Sequence, residues 1–278
     1  MDFRCLTARP GRPSWWVLVA TLGVLLALVG SVQAETVFTA EEYRLIPLRL
    51  HLLRAKDAST LHTTLTAADA RRILGKINQV WRPAGIQFYA ESLRIEEAGA
   101  QSLYVGLGEN RTEAHLRLIR PRGSLSDQVF HLYFIGEMGP NGICLDHSFQ
   151  LLFVKQSAKL YQVPGGIDED LPRVCAHEIG HALDLPHRQD TFNLMASGTT
   201  GTSLNEEEIA TARKAAGQWK WVLAPATALA AAERLEQSGA RENAVALLEA
   251  LAGLPGGSVA KQAHERLTTL RKSPAASG

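Results

Sequence analysis

Two histidines and a glutamate stand together in the pentapeptide His177-Glu178-Ile179-Gly180-His181. Residues four apart share a helix face, so both imidazoles can be turned to one cation. Glu178 lies about 100° round the helix from His177, close enough to take a proton from a water held at that cation. A helix carrying two surface histidines would show the same five letters, and the residues that follow weigh against it. Pro186 cannot continue a helix, because its ring would meet the carbonyl of Ala182, and it pushes Leu185 out of the helical region. The helix must therefore end near Asp184, and the chain must turn. That turn can bring His187 back as a third ligand, and three protein ligands with one open position is the catalytic zinc arrangement. Asp184 lies on the His177/His181 face and is the rival for third place. The Pro186 turn fits His187 better.

Met195 follows in Asn193-Leu194-Met195-Ala196-Ser197-Gly198, eight residues beyond His187. With it, the segment resembles the metzincin metallopeptidases, at a short, matrixin-like spacing of the third histidine and the methionine turn. Asn78, Trp81, Ala84-Gly85-Ile86 and Phe88 look like the first helix and second strand of secreted members, and Leu204–Ala212 like their closing helix. The resemblance covers roughly residues 45–220. It implies an α+β, zincin-type domain: a mixed sheet with an active-site helix. It implies one catalytic Zn2+ on His177, His181 and His187, with Glu178 as general base and Met195 as an apolar floor that does not ligate. The activity implied is that of a zinc endopeptidase, with a peptide or protein substrate extended along an edge strand near Gly142–Asp146. Two departures matter. Asp184 stands where the family usually has glycine at a left-handed turn, a conformation aspartate tolerates better than most residues. Ser197 stands where other members place a tyrosine two residues past the methionine, so phenol assistance to the oxyanion must come from elsewhere or be absent. A zinc-containing binding protein without catalysis, and an adaptor acting through its C-terminal helices, are the competing function classes; the intact Glu178 argues against the first.

The elements that must position these groups can be read from periodicity. Pro47–Leu53 alternates as a strand, and Thr66–Arg82 has apolar residues at helical spacing, stopped by Pro83 and Gly85. Ile86–Leu93, Val129–Ile135 and Phe149–Val154 read as strands, with a short one at Ile143–Asp146 after the turn at Gly139–Gly142. Residues 98–126 read as an insertion with a short helix around Thr112–Ile119. Asp168-Glu169-Asp170 and Pro172 announce the histidine helix. Ser203-Leu204-Asn205-Glu206 reads as a capping box opening a helix to about Gln218. Beyond Pro225 the chain turns rich in alanine and leucine, with helical periods at Ala226–Gln237, Arg241–Leu251 and Ser258–Leu270. The expected division is residues 35–222 as the peptidase domain and 223–278 as a small all-α region that docks on it or binds a protein partner.

The 278 residues, 46% of them hydrophobic and 21% charged, suffice for one such domain with a small second unit. A net charge of +1 gives no electrostatic footprint for nucleic acid or an anionic membrane. Residues 1–34 read as a secretory signal peptide: a basic stretch, an apolar run from Trp15 to Gly30, then Val32-Gln33-Ala34 before cleavage. An uncleaved anchor is the alternative, since the run approaches the lower limit for spanning. The signal reading expects a secreted or periplasmic protein with no stable membrane insertion of the mature chain. Cys5 lies in that segment, leaving Cys144 and Cys175 as a candidate disulfide or as two buried thiols.

Overall fold

A computed structural model describes residues 38–146 and 150–272. The expected signal peptide, and Phe149 at the start of one expected strand, lie outside these residues. Among the described residues no helix is long and apolar enough to cross a membrane.

The scaffold is a five-stranded mixed sheet in the order β2-β1-β3-β5-β4. Its strands are β1 (Arg44–Arg54), β2 (Ile86–Glu97), β3 (Phe130–Ile135), β4 (Gly142–Asp146) and β5 (Leu151–Lys155). The first three pairings are parallel and β4 alone runs antiparallel, against β5 at one edge. The chain crosses from β1 to β2 through α1 (Ala67–Trp81). Thr66 and Asp69 cap that helix reciprocally, the Asp69 N–H reaching Thr66 Oγ1 at 3.2 Å and the Thr66 N–H reaching Asp69 Oδ2 at 2.9 Å. Asn78 then staples α1 to β2, donating to Phe88 O at 3.0 Å and accepting from Phe88 N at 2.7 Å.

β1 shows why its alternation is only half of its story. Leu48, Leu50 and Leu52 point into the main apolar layer with Phe130, Leu132 and Phe134 of β3. Arg49 and His51, on the other face, are buried as well. Residues 98–125 cover that face with α2 (Gln101–Gly106) and 3-10 turns at Gly108–Asn110, Glu113–Ile119 and Arg122–Ser124. The expected insertion is present, and its helix near 112–119 is a 3-10 segment. Leu116 and Ile119 join Tyr133, Leu151 and Phe153 in a second apolar layer there. A sheet covered on both faces buries polar strand residues that sequence alternation alone would place in water.

The histidine helix, α3 (Asp170–Ala182), lies beside α1 across β4 and β5. Arg72 and Lys76 of α1 pair with Glu169 and Asp168 at its start, the Lys76–Asp168 contact being 2.5 Å. The closing helix, α4 (Glu206–Gln218), is capped two residues later than expected: Asn205, not Ser203, accepts the Glu208 N–H, at 2.9 Å, and the Glu208 carboxylate accepts from Asn205 N. Ser203 is occupied elsewhere, donating to Phe192 O at 2.8 Å. Helices α5 (Pro225–Gln237), α6 (Arg241–Ala252) and α7 (Gly257–Lys272) form the C-terminal unit. Leu229, Leu248, Leu251 and Leu267 make its core, shared with Tyr43 and Leu45 at the start of the sheet. Leu45 and Leu223 exchange backbone hydrogen bonds of 2.9 and 3.0 Å where the chain enters that unit.

Candidate metal centre

α3 presents His177 and His181 on one face, and a left-handed turn returns His187 to them. The helix ends in a Schellman arrangement: Asp184 N–H bonds His181 O at 3.0 Å and Leu185 N–H bonds Gly180 O at 2.9 Å. Asp184 supplies the positive φ, +65°, that this motif needs one residue past the cap. Its side chain is exposed and stands apart from the cluster formed by His177, His181 and His187.

The three Nε2 atoms lie 3.2 Å (177–181), 3.3 Å (177–187) and 3.1 Å (181–187) from one another. Ligand nitrogens at tetrahedral angles round a zinc with Zn–N bonds near 2.05 Å would be about 3.3 Å apart. The tautomers agree with that. His177 Nδ1 donates to Leu194 O at 2.8 Å, and His181 Nδ1 donates to Leu185 O at 2.9 Å. Each Nε2 faces the other ring nitrogens of the group, and the bond at Nδ1 is the second-sphere arrangement that fixes a metal-binding imidazole. Burial pushes the pKa of His177 down to about 3, against the Leu194 hydrogen bond, and nearby Arg173 lowers it further. Its neutral, ligating form is therefore held over the whole ordinary pH range. The residues fit a zinc ion.

Glu178 is 5% exposed and faces β4 across the cleft. Burial raises its pKa to about 8, opposed by the Cys144 backbone N–H, which donates to the carboxylate, and by Arg173. Gly142 makes this approach possible: a Cβ there would lie 2.6 Å from Glu178 Oε1. The same logic places Met195. It is fully buried against α3, and a Cβ on Gly180 would lie 2.5 Å from its sulfur. The glycine inside the pentapeptide is thus the hole into which the methionine turn packs.

No protein-family model matches the chain, and no curated protein matches it. Among solved structures it is similar to an archaemetzincin from Methanopyrus kandleri, at 13% identity and a TM-score of 0.41, over 61% of this chain and 94% of that one. It is also similar to a zinc-dependent peptidase from Methanocorpusculum labreanum, at 12% identity and a TM-score of 0.29, over 60% of this chain and 99% of that one. Likeness at this level leaves the site to be read from its own geometry.

Cys175, on the opposite side of α3, is fully enclosed in the apolar layer, and burial pushes its thiol well up. Cys144 sits half-buried in the cleft wall. No disulfide joins them, which corrects the pairing expected from an even cysteine count. Counting could not tell that one thiol is walled in by the helix packing while the other belongs to the cleft.

Three supporting residues escaped the sequence reading. Arg173, 1% exposed, donates from Nε to Gly201 O at 3.1 Å and from Nη2 to Ala196 O at 2.6 Å and Asn193 O at 3.2 Å. Burial lowers its pKa to about 10. Glu208, 1% exposed, accepts from Asn193 Nδ2 and from Arg188 Nε, both at 2.8 Å. Asn193 in turn receives Met195 N–H at 2.7 Å. The only available signal was the i, i+4 spacing of Arg173 and His177, which an ordinary surface arginine would share.

Proposed function

We propose that the protein is a zinc-dependent endopeptidase, exported by its N-terminal segment, with one metal ion held by His177, His181 and His187. The carrying observation is the convergence of three Nε2 atoms, two of their rings held by Nδ1–H donation to backbone carbonyls. A zinc ion there would acidify water and polarise a peptide carbonyl.

The chain's own groups supply the rest. Glu178, held against β4 at the cleft wall, takes a proton from the attacking water and returns it to the leaving amine. The Cys144 N–H and the glycine at 142 hold that carboxylate at the cleft wall. The substrate lies extended along β4, the sheet edge that lines a cleft of about 610 Å³ with the three histidines. Exposed His187 completes the ligand set on the solvent side. Incubation with a mixed peptide library, with and without a chelator, tests the reading. Internal cleavage that disappears on chelation and returns with one equivalent of zinc is expected. Zinc binding without cleavage of any peptide would leave the binding-protein alternative.

A further inference from the structure

The cleft holds a positive charge that this chemistry does not use. Arg173 lies one turn before His177 on the same face of α3 and lines the cleft with Leu160, Val174, Ser197 and Gly198. Its Nε and Nη2 are committed to the carbonyls of Gly201, Asn193 and Ala196. The neighbour of Nη1 is His177 Nδ1, at 3.3 Å. That ring nitrogen already gives its proton to Leu194 O, so two donors face each other and no hydrogen bond can form between them. Among the described residues, Nη1 therefore has no acceptor, and no carboxylate forms an ion pair with the guanidinium, Glu178 acting on it only at longer range. A buried charge left in this state is costly, and a carboxylate is the group that best completes an arginine fork. The other lining charges besides the histidines, Glu113 and Glu178, are both acidic, so Arg173 is the cation of the cleft.

We propose that Arg173 selects substrates carrying a carboxylate next to the scissile bond, received by Nη1 in the part of the cleft between α3 and Ser197–Gly198. The proposal rests on the peptidase reading, and binding can be read apart from cleavage. Zinc-loaded Glu178→Gln protein is titrated with matched peptides in two arms. One arm exchanges Glu for Gln, or Asp for Asn, at each position of an internal sequence; the other exchanges a free C-terminus for its amide. An affinity at least ten-fold higher for the acid is expected. In the first arm it assigns the carboxylate to a side chain, and in the second to a chain terminus. Arg173→Met should abolish the preference, and Arg173→Lys should retain part of it. Equal affinity within both pairs for the wild-type arginine overturns the proposal, even if Arg173→Met fails to fold. An acid preference that persists in folded Arg173→Met overturns it as well. A wild-type chain that cleaves nothing, yet prefers the acid, would sink the peptidase reading and leave the carboxylate site standing.

Discussion

Among the described residues, histidines gather on each side of the sheet, and the two groups solve opposite problems. On the helix side, three Nε2 atoms converge within 3.3 Å of one another. On the other side, His51 of β1 and His131 of β3 are joined in series. His51 Nδ1 meets Glu96 Oε1 at 2.5 Å, His51 Nε2 meets His131 Nδ1 at 2.9 Å, and His131 Nε2 meets the Ser126 backbone, its carbonyl at 2.8 Å and its N–H at 3.1 Å. Tyr133 stacks on His51 with ring centroids 4.1 Å apart. Every ring nitrogen of this second pair is spent on a neighbour, so the chain closes on itself and offers nothing to a ligand. Residue type is therefore a poor guide to chemistry. What separates a metal site from a strut is whether the lone pairs meet at a point or are consumed along a line.

The largest break in the comparison concerns Glu178, the carboxylate for which we propose proton transfer. Glu178→Gln removes the group assigned to proton transfer and leaves all three imidazoles. Zinc content measured by atomic absorption should stay at one per chain, while peptide turnover falls by about 10³-fold or more. Turnover near the wild-type rate would remove Glu178 from the mechanism. The next effect is on the metal itself. His187→Ala leaves two ligands and should weaken zinc binding by about 100-fold or more in a competition titration with a chelating dye. His51→Gln should leave zinc affinity unchanged. Loss of zinc in the His51 variant would show that the two clusters are coupled through the sheet.

Much of the first cluster was legible and little of the second. Proline at 186 forces a stop, and a stop so soon after His181 leaves the chain few directions, so the return of His187 could be read from the letters. β1, α1 and the strand pair around the turn at 139–142 follow from local periodicity for the same reason. The strut could not be read, because it depends on register. His51 stands opposite Tyr133 in the parallel pairing of β1 with β3, which carries His131 two residues before it, and Glu96 comes from the far end of β2. No spacing in the sequence encodes which strands become neighbours. The same holds for Arg173 and Glu208, whose partners are backbone carbonyls and loop side chains twenty or so residues away.

The strut makes its own prediction through pH. Burial holds His131 down at about 4 and lowers His51 as well, so both stay neutral in the folded chain where an unfolded histidine would begin to charge. Above about pH 6.5 folded and unfolded states bind equal numbers of protons at these sites, and the contribution is fully present. As the pH falls from about 6.5 toward 4, the unfolded chain takes up protons that the folded one refuses, so stability falls. At ~1.4 kcal/mol per unit, His131 alone accounts for on the order of 3 kcal/mol across that window. Denaturant titrations of zinc-loaded wild type and His131→Asn should give a shallower pH slope for the variant, the zinc contribution being common to both. Identical slopes would mean that the buried pair does not control acid stability.

The smallest effect concerns the turn on which the first cluster depends. Asp184 adopts φ +65° at the left-handed position of the Schellman motif, where an L-residue with a Cβ is disfavoured by about 1 kcal/mol or more. Glycine adopts that conformation freely but has more entropy to lose on folding, which offsets part of the gain. Asp184→Gly should therefore raise stability by only about 0.5 kcal/mol, seen as a melting-temperature increase of about 1–2 °C. Zinc affinity should not change, because the exposed side chain lies outside the histidine group. Asp184→Val tests the same turn from the other direction. A β-branched residue resists positive φ, so this variant should lose stability and, by displacing His187, weaken zinc binding while leaving the His51–His131 strut in place. The pair of variants separates turn from ligand. If Asp184→Gly keeps the fold and loses the metal, the aspartate is a ligand, and the third nitrogen must be given up.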